Sequence, residues 1–252
     1  MTPEHAAAAS RIPTQWLGSA YIDCPMTVRR ARRWGLSGWS FHVASRGGVL
    51  GEASADTVAA ALGFFAPDLV RDAWDAARRV RPPVEIAAQS IAECCRWGTE
   101  HLDGFVRVRR LIDLAAPVVR NADGAGLPLF VAWRSMPSPD VTPGARAAVL
   151  LHLLRELRLG AHLIAVRAAG LSPVESILGG PDGERGAAAL GWAGPYPPGA
   201  PLVRRRVWSD QVADSMVGRA MAGLTPAERG ELVDLLHAAW RRCEAAATRQ
   251  VA

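Results

Sequence analysis

One short block holds the residue types that grip an anion. In Arg155-Glu-Leu-Arg158-Leu-Gly-Ala-His162, the two arginines and the histidine fall within an arc of about 60° if one helix continues through Leu159-Gly160. Leu151, Leu154, Leu157, Leu163 and Ile164 surround them. Two guanidiniums in so apolar a setting need partners, because unpaired buried charge is costly. A small anionic ligand held by Arg155 and Arg158 is one solution, with His162 as donor or general acid–base group. Arg46, in the glycine-rich stretch SRGGVLG, is the fourth candidate of this ligand set. A closed structural network with Glu156, Glu175, Asp140 or backbone carbonyls is the competing solution.

A second basic cluster is Arg204-Arg205-Arg206 beside Trp208. A basic loop next to a helical unit sits well on nucleic-acid phosphates, and also simply in solvent. Arg29, Arg30, Arg32 and Arg33 spread over more than one helical face, the usual pattern of a solvated surface.

Composition excludes several chemistries. All 29 basic residues are arginine, so Schiff-base chemistry and P-loop phosphate transfer lack their lysine. The net charge of +5 permits nucleic-acid binding without demanding it. Cys24, Cys94, Cys95 and Cys243 contain no Cys-x-x-Cys pair, and no His-x-x-x-His pair occurs. A metal site is therefore not expected. There is no Gly-x-Ser-x-Gly elbow and no Gly-x-Gly-x-x-Gly fingerprint, and no cofactor is expected. No stretch approaches the ~18 apolar residues of a membrane span. Residues 1–13 lack the basic start of a signal peptide. The expected location is cytoplasmic, with no membrane partner.

The elements that must position these residues read as mainly α. Residues 1–24 look like a flexible extension. Thr27 would cap a short arginine-rich helix, and Gly38 to Ala44 reads as a helix or a strand. Helices are expected over 54–65, 67–80, 83–103 and 105–120. In the last of these, Leu111, Ile112, Ala115, Val118 and Val119 mark an apolar stripe. Residues 127–141 read as a proline-rich connector between two halves, 25–126 and 142–252. In the second half one helix runs to about Leu159 and another from Gly160 to Ala168. Ser172-Pro-Val-Glu175 and Thr225-Pro-Ala-Glu228 have capping-box spacing. The last two helices cover 209–222 and 226–246.

The order of these pieces resembles an actinobacterial family related to winged-helix proteins. Its biochemical function is unassigned, and some members accompany antibiotic gene clusters. The matching features begin with Gly35-x-x-Gly-Trp39 and Ala44-Ser-Arg46. Phe64-Phe65 with Pro67, then Trp74, and Pro128-Leu-Phe130 follow. The 155–162 block, Ala169-Gly-Leu171, Gly191-Trp192 and Leu224-Thr-Pro226 complete the set. The family block reads Arg-Glu-His-Arg-Gly-Asp-x-His, whereas Leu157, Leu159 and Gly160 stand here. The histidine–aspartate pair of that block is therefore missing. Only Ala222-Gly-Leu224 separates the last two helices, too few residues for a β-ribbon wing. The resemblance implies two winged-helix-like helical halves with the C-terminal wing reduced or lost, unless a minimal ribbon lies within 192–208. It implies a binding protein, a regulator or small-molecule sensor, expected as a homodimer. The alternative is a lysine-independent enzyme or accessory protein of specialised metabolism using the same pocket.

Overall fold

The computed structural model describes residues 1–137 and 142–251, the side chains of 247–251 excepted. Asp140, named above, and the end of the proline-rich stretch, 138–141, lie outside the described residues. Among those residues fifteen α-helices and two 3-10 turns form the fold, and no strand occurs. The protein is mainly α. Residues 192–208, the remaining place for a ribbon, contain a 3-10 turn at Ala200–Leu202 and the start of a helix.

Proline and small hydroxyl residues set many helix starts. α1 (Pro3–Ala9) opens on Pro3, with Thr2 accepting from the His5 amide. α2 is Arg11–Leu17 and α3 is Ala20–Asp23. Residues 1–24 are thus helical rather than a flexible extension. Their pattern hides this because Ala6 and Ala7, both fully buried, are small. α4 (Pro25–Arg33) starts before Thr27, whose buried hydroxyl reaches Glu93 instead of capping. α5 (Gly38–Gly47) is a helix, so Arg46 sits in its last turn and not in a free loop. α6 (Ala55–Leu62), α7 (Pro67–Arg78), α8 (Pro83–Leu102) and α9 (Val108–Asn121) follow near their expected places. The stretch read as a connector holds α10 (Pro128–Arg134), whose Leu129, Phe130 and Trp133 are buried.

α11 (Pro143–Ala168) is one continuous helix where two were expected. It is buried on nearly every side, as a central helix must be. Gly160 does not interrupt it; a β-carbon there would come within 2.6 Å of Leu127. α8 crosses α11 where Gly98 faces Gly144 and Ala148 with no room for a further carbon. α12 (Pro173–Leu178) starts with the expected Ser172–Glu175 box. α13 (Gly183–Ala189) precedes α14 (Val203–Met221) and α15 (Pro226–Val251). Thr225 and Glu228 cap α15 reciprocally. α14 packs against α1, α11 and α9. One cluster of buried apolar side chains runs from Leu17 and Trp74 through Leu154 to Leu236. The core therefore crosses the expected boundary at 127–141 without a break.

Candidate functional site

α11 carries Arg155, Glu156, Arg158 and His162 into the interior, at 5%, 1% and 6% exposure for the first three. The last turn of α5 brings Arg46 against it, at 3% exposure. Arg46 binds Glu156 through two parallel bonds, Nε–Oε1 at 3.0 Å and Nη2–Oε2 at 2.9 Å. Arg155 Nη1 reaches the same carboxylate at 2.8 Å. Glu156 thus serves two guanidiniums. Burial opposes its charge, but Arg46 and Arg155 outweigh burial and hold its pKa down to about 2. Burial and neighbouring Arg46 pull the pKa of Arg155 down to about 10, so it stays charged at neutral pH.

Arg158 takes a different course. Its Nη1 binds Asp214 of α14 at 3.0 Å and its Nη2 the Ala7 carbonyl of α1. Asp214 also takes Arg11 at 2.6 Å. Arg158 is therefore a tie between α11, α14 and α1. It is absent from the cavity that the other candidates line.

That cavity measures about 410 Å³. Arg46, Arg155, His162 and Arg206 line it, facing an apolar wall that includes Leu62, Phe64, Leu159 and Leu190. The His162 ring lies against Phe64, with centroids 5.1 Å apart. Its Nε2 stands 3.4 Å from Asp210 Oδ1, outside hydrogen-bond geometry. Burial lowers the pKa of His162; Asp210 opposes this, while Arg206, Arg11 and Arg158 add to it. The imidazole is neutral at pH 7. His162 of α11 thus stands beside Asp210 of α14 without a hydrogen bond to it.

Charge and hydrogen bonding both stay incomplete here. Among the described residues, five arginines (11, 46, 155, 158 and 206) share three carboxylates, Glu156, Asp210 and Asp214. Asp182, which also lines the cavity, pairs with its neighbour Arg185. Asp23 adds a weaker pull on Arg155 without an ion pair. Arg155 Nε and His162 Nε2 are buried without a hydrogen-bond partner. Buried polar atoms are nearly always partnered, so two unpartnered ones on residues that line the same cavity are exceptions. The two residues are seven positions apart on a helix, roughly 10 Å along its axis.

Two expectations change at the second basic cluster. Residues 204–206 open α14 and do not form a loop, and Arg206 turns inward to the cavity, 3.7 Å from Asp210. Arg204 and Arg205 remain exposed, beside Trp208 at 48% exposure. In the other arginine-rich helix, Arg30 pairs with the buried Glu93 while Arg29, Arg32 and Arg33 face solvent. The network alternative was right for Glu156. Glu175 instead serves the α12 cap. Asp210, Asp214 and Arg11 were missed, although Arg206, Asp210 and Asp214 recur every four residues, the spacing of one helical face.

No metal-holding group of histidine, cysteine or acidic side chains occurs among the described residues. No helix among them is long and apolar enough to cross a membrane. No curated protein and no solved structure matches the chain. A family model described as a helix-turn-helix family matches residues 15–252. The match takes in everything from the middle of α2 onward and leaves α1 outside it. On that match, and in keeping with its all-helical architecture, the chain belongs to the helix-turn-helix family.

Proposed function

We propose that the protein is a ligand-binding member of its family, a regulator or sensor whose cavity takes a small anionic molecule. One observation carries this reading. Arg155 and His162 both line one cavity, each has a buried nitrogen without a hydrogen-bond partner, and the arginines of that cavity outnumber the carboxylates paired with them. Arg206 adds positive potential, while Phe64, Leu159 and Leu190 suit an apolar body. Such a pocket, apolar with a few convergent polar groups, is the usual form of a small-molecule site.

The regulatory half of the reading rests on Arg204 and Arg205 with exposed Trp208, on the first turns of α14. Arg206 of the same turns lines the cavity and pairs with Asp210, so ligand and nucleic acid would act on one helix. A homodimer belongs to this reading, because helix-turn-helix proteins read two half-sites as dimers. Sedimentation at micromolar concentration tests it.

Butyrate and phenyl phosphate are suitable probes of the cavity. Calorimetric titration should show binding that His162→Gln and Arg206→Gln each weaken at least tenfold with the fold intact. The reading is overturned if neither probe binds, or if both variants bind as the parent does.

The second reading is a lysine-independent enzyme or accessory protein of specialised metabolism. Its support is His162, neutral beside Asp210 and so a proton acceptor at neutral pH. A ligand recovered chemically unchanged after prolonged incubation favours the sensor over the enzyme.

A further inference from the structure

A second cavity of about 400 Å³ lies against the first. Arg46, Leu62 and Leu159 line both. The wall between them is therefore two leucine side chains and one arginine already neutralised by Glu156. The two chambers differ in chemistry. Arg46 and Glu156 are the charged groups among the described residues lining the second chamber, and they are paired to each other. The rest of its lining is almost wholly apolar, with Leu129, Phe130, Leu163 and Ile164 prominent. Ala60, Ala61, Gly126 and Gly160 also face it. These are the smallest side chains, and they leave open a space that a larger residue at the same positions would close.

Polarity thus runs one way along α11. Unpartnered nitrogen and surplus positive charge lie on the Arg155–His162 side. Uncompensated charge is lacking on the side of Gly160, Leu163 and Ile164. A ligand filling both chambers must carry charge at one end and hydrocarbon at the other.

We infer that the two cavities take a single molecule, a single-chain amphipathic carboxylate whose head sits with His162 and Arg206 and whose chain passes Leu62 and Leu159 into the second chamber. This rests on the anion-binding reading above and adds the class of ligand to it. The two leucines are the parts that must move, by rotamer changes within apolar surroundings, and the Arg46–Glu156 pair stays as the fixed polar edge of the passage.

The test is a calorimetric series of saturated carboxylates, butyrate, hexanoate, octanoate and decanoate, each below its micellar concentration. Affinity should rise about fourfold per added methylene, the gain from burying one such group, and level off when the second chamber is full. Octanol, of equal length and uncharged, should bind at least tenfold more weakly than octanoate. Ala61→Phe, which fills the second chamber, should leave butyrate binding unchanged and reduce octanoate to within a few-fold of butyrate. Ala60→Leu, at the exposed mouth, is the milder companion should the larger ring unfold the protein, and the same loss of chain-length gain is expected from it. If butyrate binds but lengthening the chain gains nothing, or if the gain survives both variants, the second chamber is not a tail site and the anion reading stands alone. If no member of the series binds, the tail site fails, and if phenyl phosphate does not bind either, the anion reading fails with it.

Discussion

Arg46 and Glu156 lie 110 positions apart and meet through two parallel hydrogen bonds of 3.0 and 2.9 Å, both side chains almost wholly withdrawn from solvent. The pair joins α5 to α11, and its Arg46 lines both cavities. Replacing Glu156 by Gln leaves Arg46 and Arg155 buried without a counter-charge. The expected loss is roughly 3–5 kcal/mol of folding stability, read by urea denaturation. A loss under about 1 kcal/mol would mean that water or another carboxylate compensates both guanidiniums.

Acid should destabilise the protein through its buried histidines. His152, fully buried between Tyr21 and Trp133, has its pKa pushed down by burial from 6.5 to about 4. As pH falls below 6.5 the unfolded chain takes up this proton first. Stability contributed by the neutral imidazole is therefore present above pH 6.5 and lost progressively toward pH 4, by roughly 3 kcal/mol for one such group. His42, also held near 4 by burial, acts in the same window. Glu156 extends the trend, since its stabilisation is present above pH 4.5 and lost toward pH 2. Denaturation at pH 7 and pH 5 measures the slope. His152→Phe should flatten it, and an unchanged slope would exclude His152 as its source.

The N-terminal segment ties down α11 and α15. Arg158 reaches the Ala7 carbonyl, and Arg229, buried near the start of α15, takes the Met1 carbonyl at 2.9 Å. Removing residues 1–10 strips both guanidiniums of a buried acceptor. The expected cost is at least about 3 kcal/mol, since bonds to charged groups contribute about 1.5–3 kcal/mol each. Thermal unfolding of the truncated chain checks this. An unchanged midpoint would show that α1 is only an appendage.

α8 and α11 approach through Gly98, where a β-carbon would collide with the Gly144 carbonyl and come within 2.6 Å of the Ala148 methyl. Gly98→Ala should therefore cost about 1–3 kcal/mol from overpacking, although alanine is the better helix former. Chemical denaturation giving a more stable variant would show that the two helices separate easily.

Arg204 and Arg205 supply the test of nucleic-acid contact. If they meet phosphates, Arg204→Ala with Arg205→Ala should reduce the slope of log affinity against log salt by about 2 on duplex DNA. A slope equal to that of the parent protein would remove α14 from any such interface.

The helices were legible where their causes are local. Ser172 with Glu175, and Thr225 with Glu228, bond across three residues, so two letters and their spacing suffice to read the cap. The stripe of Leu111, Ile112, Ala115, Val118 and Val119 likewise gives α9 and its buried face. α1 escaped because alanine carries little amphipathic signal, and α2 and α3 because they are short; their burial comes from α8, α11, α14 and α15, which stand far along the chain. Gly160 was taken for a break because its reason for being glycine, the nearness of Leu127, belongs to another segment.

The 155–162 block by itself determined that two buried guanidiniums and a histidine would need acceptors. Which acceptors they found was decided only by packing. α5 brought Arg46 to share Glu156, so Arg155 was left with an unpartnered nitrogen. α14 brought Asp214 to Arg158 and Asp210 to His162, removing one candidate from the cavity and giving another its carboxylate neighbour. A helical hydrogen bond closes within four residues and leaves its mark in spacing. An ion pair between helices more than fifty residues apart depends on how those helices stack, and no spacing within the block encodes it.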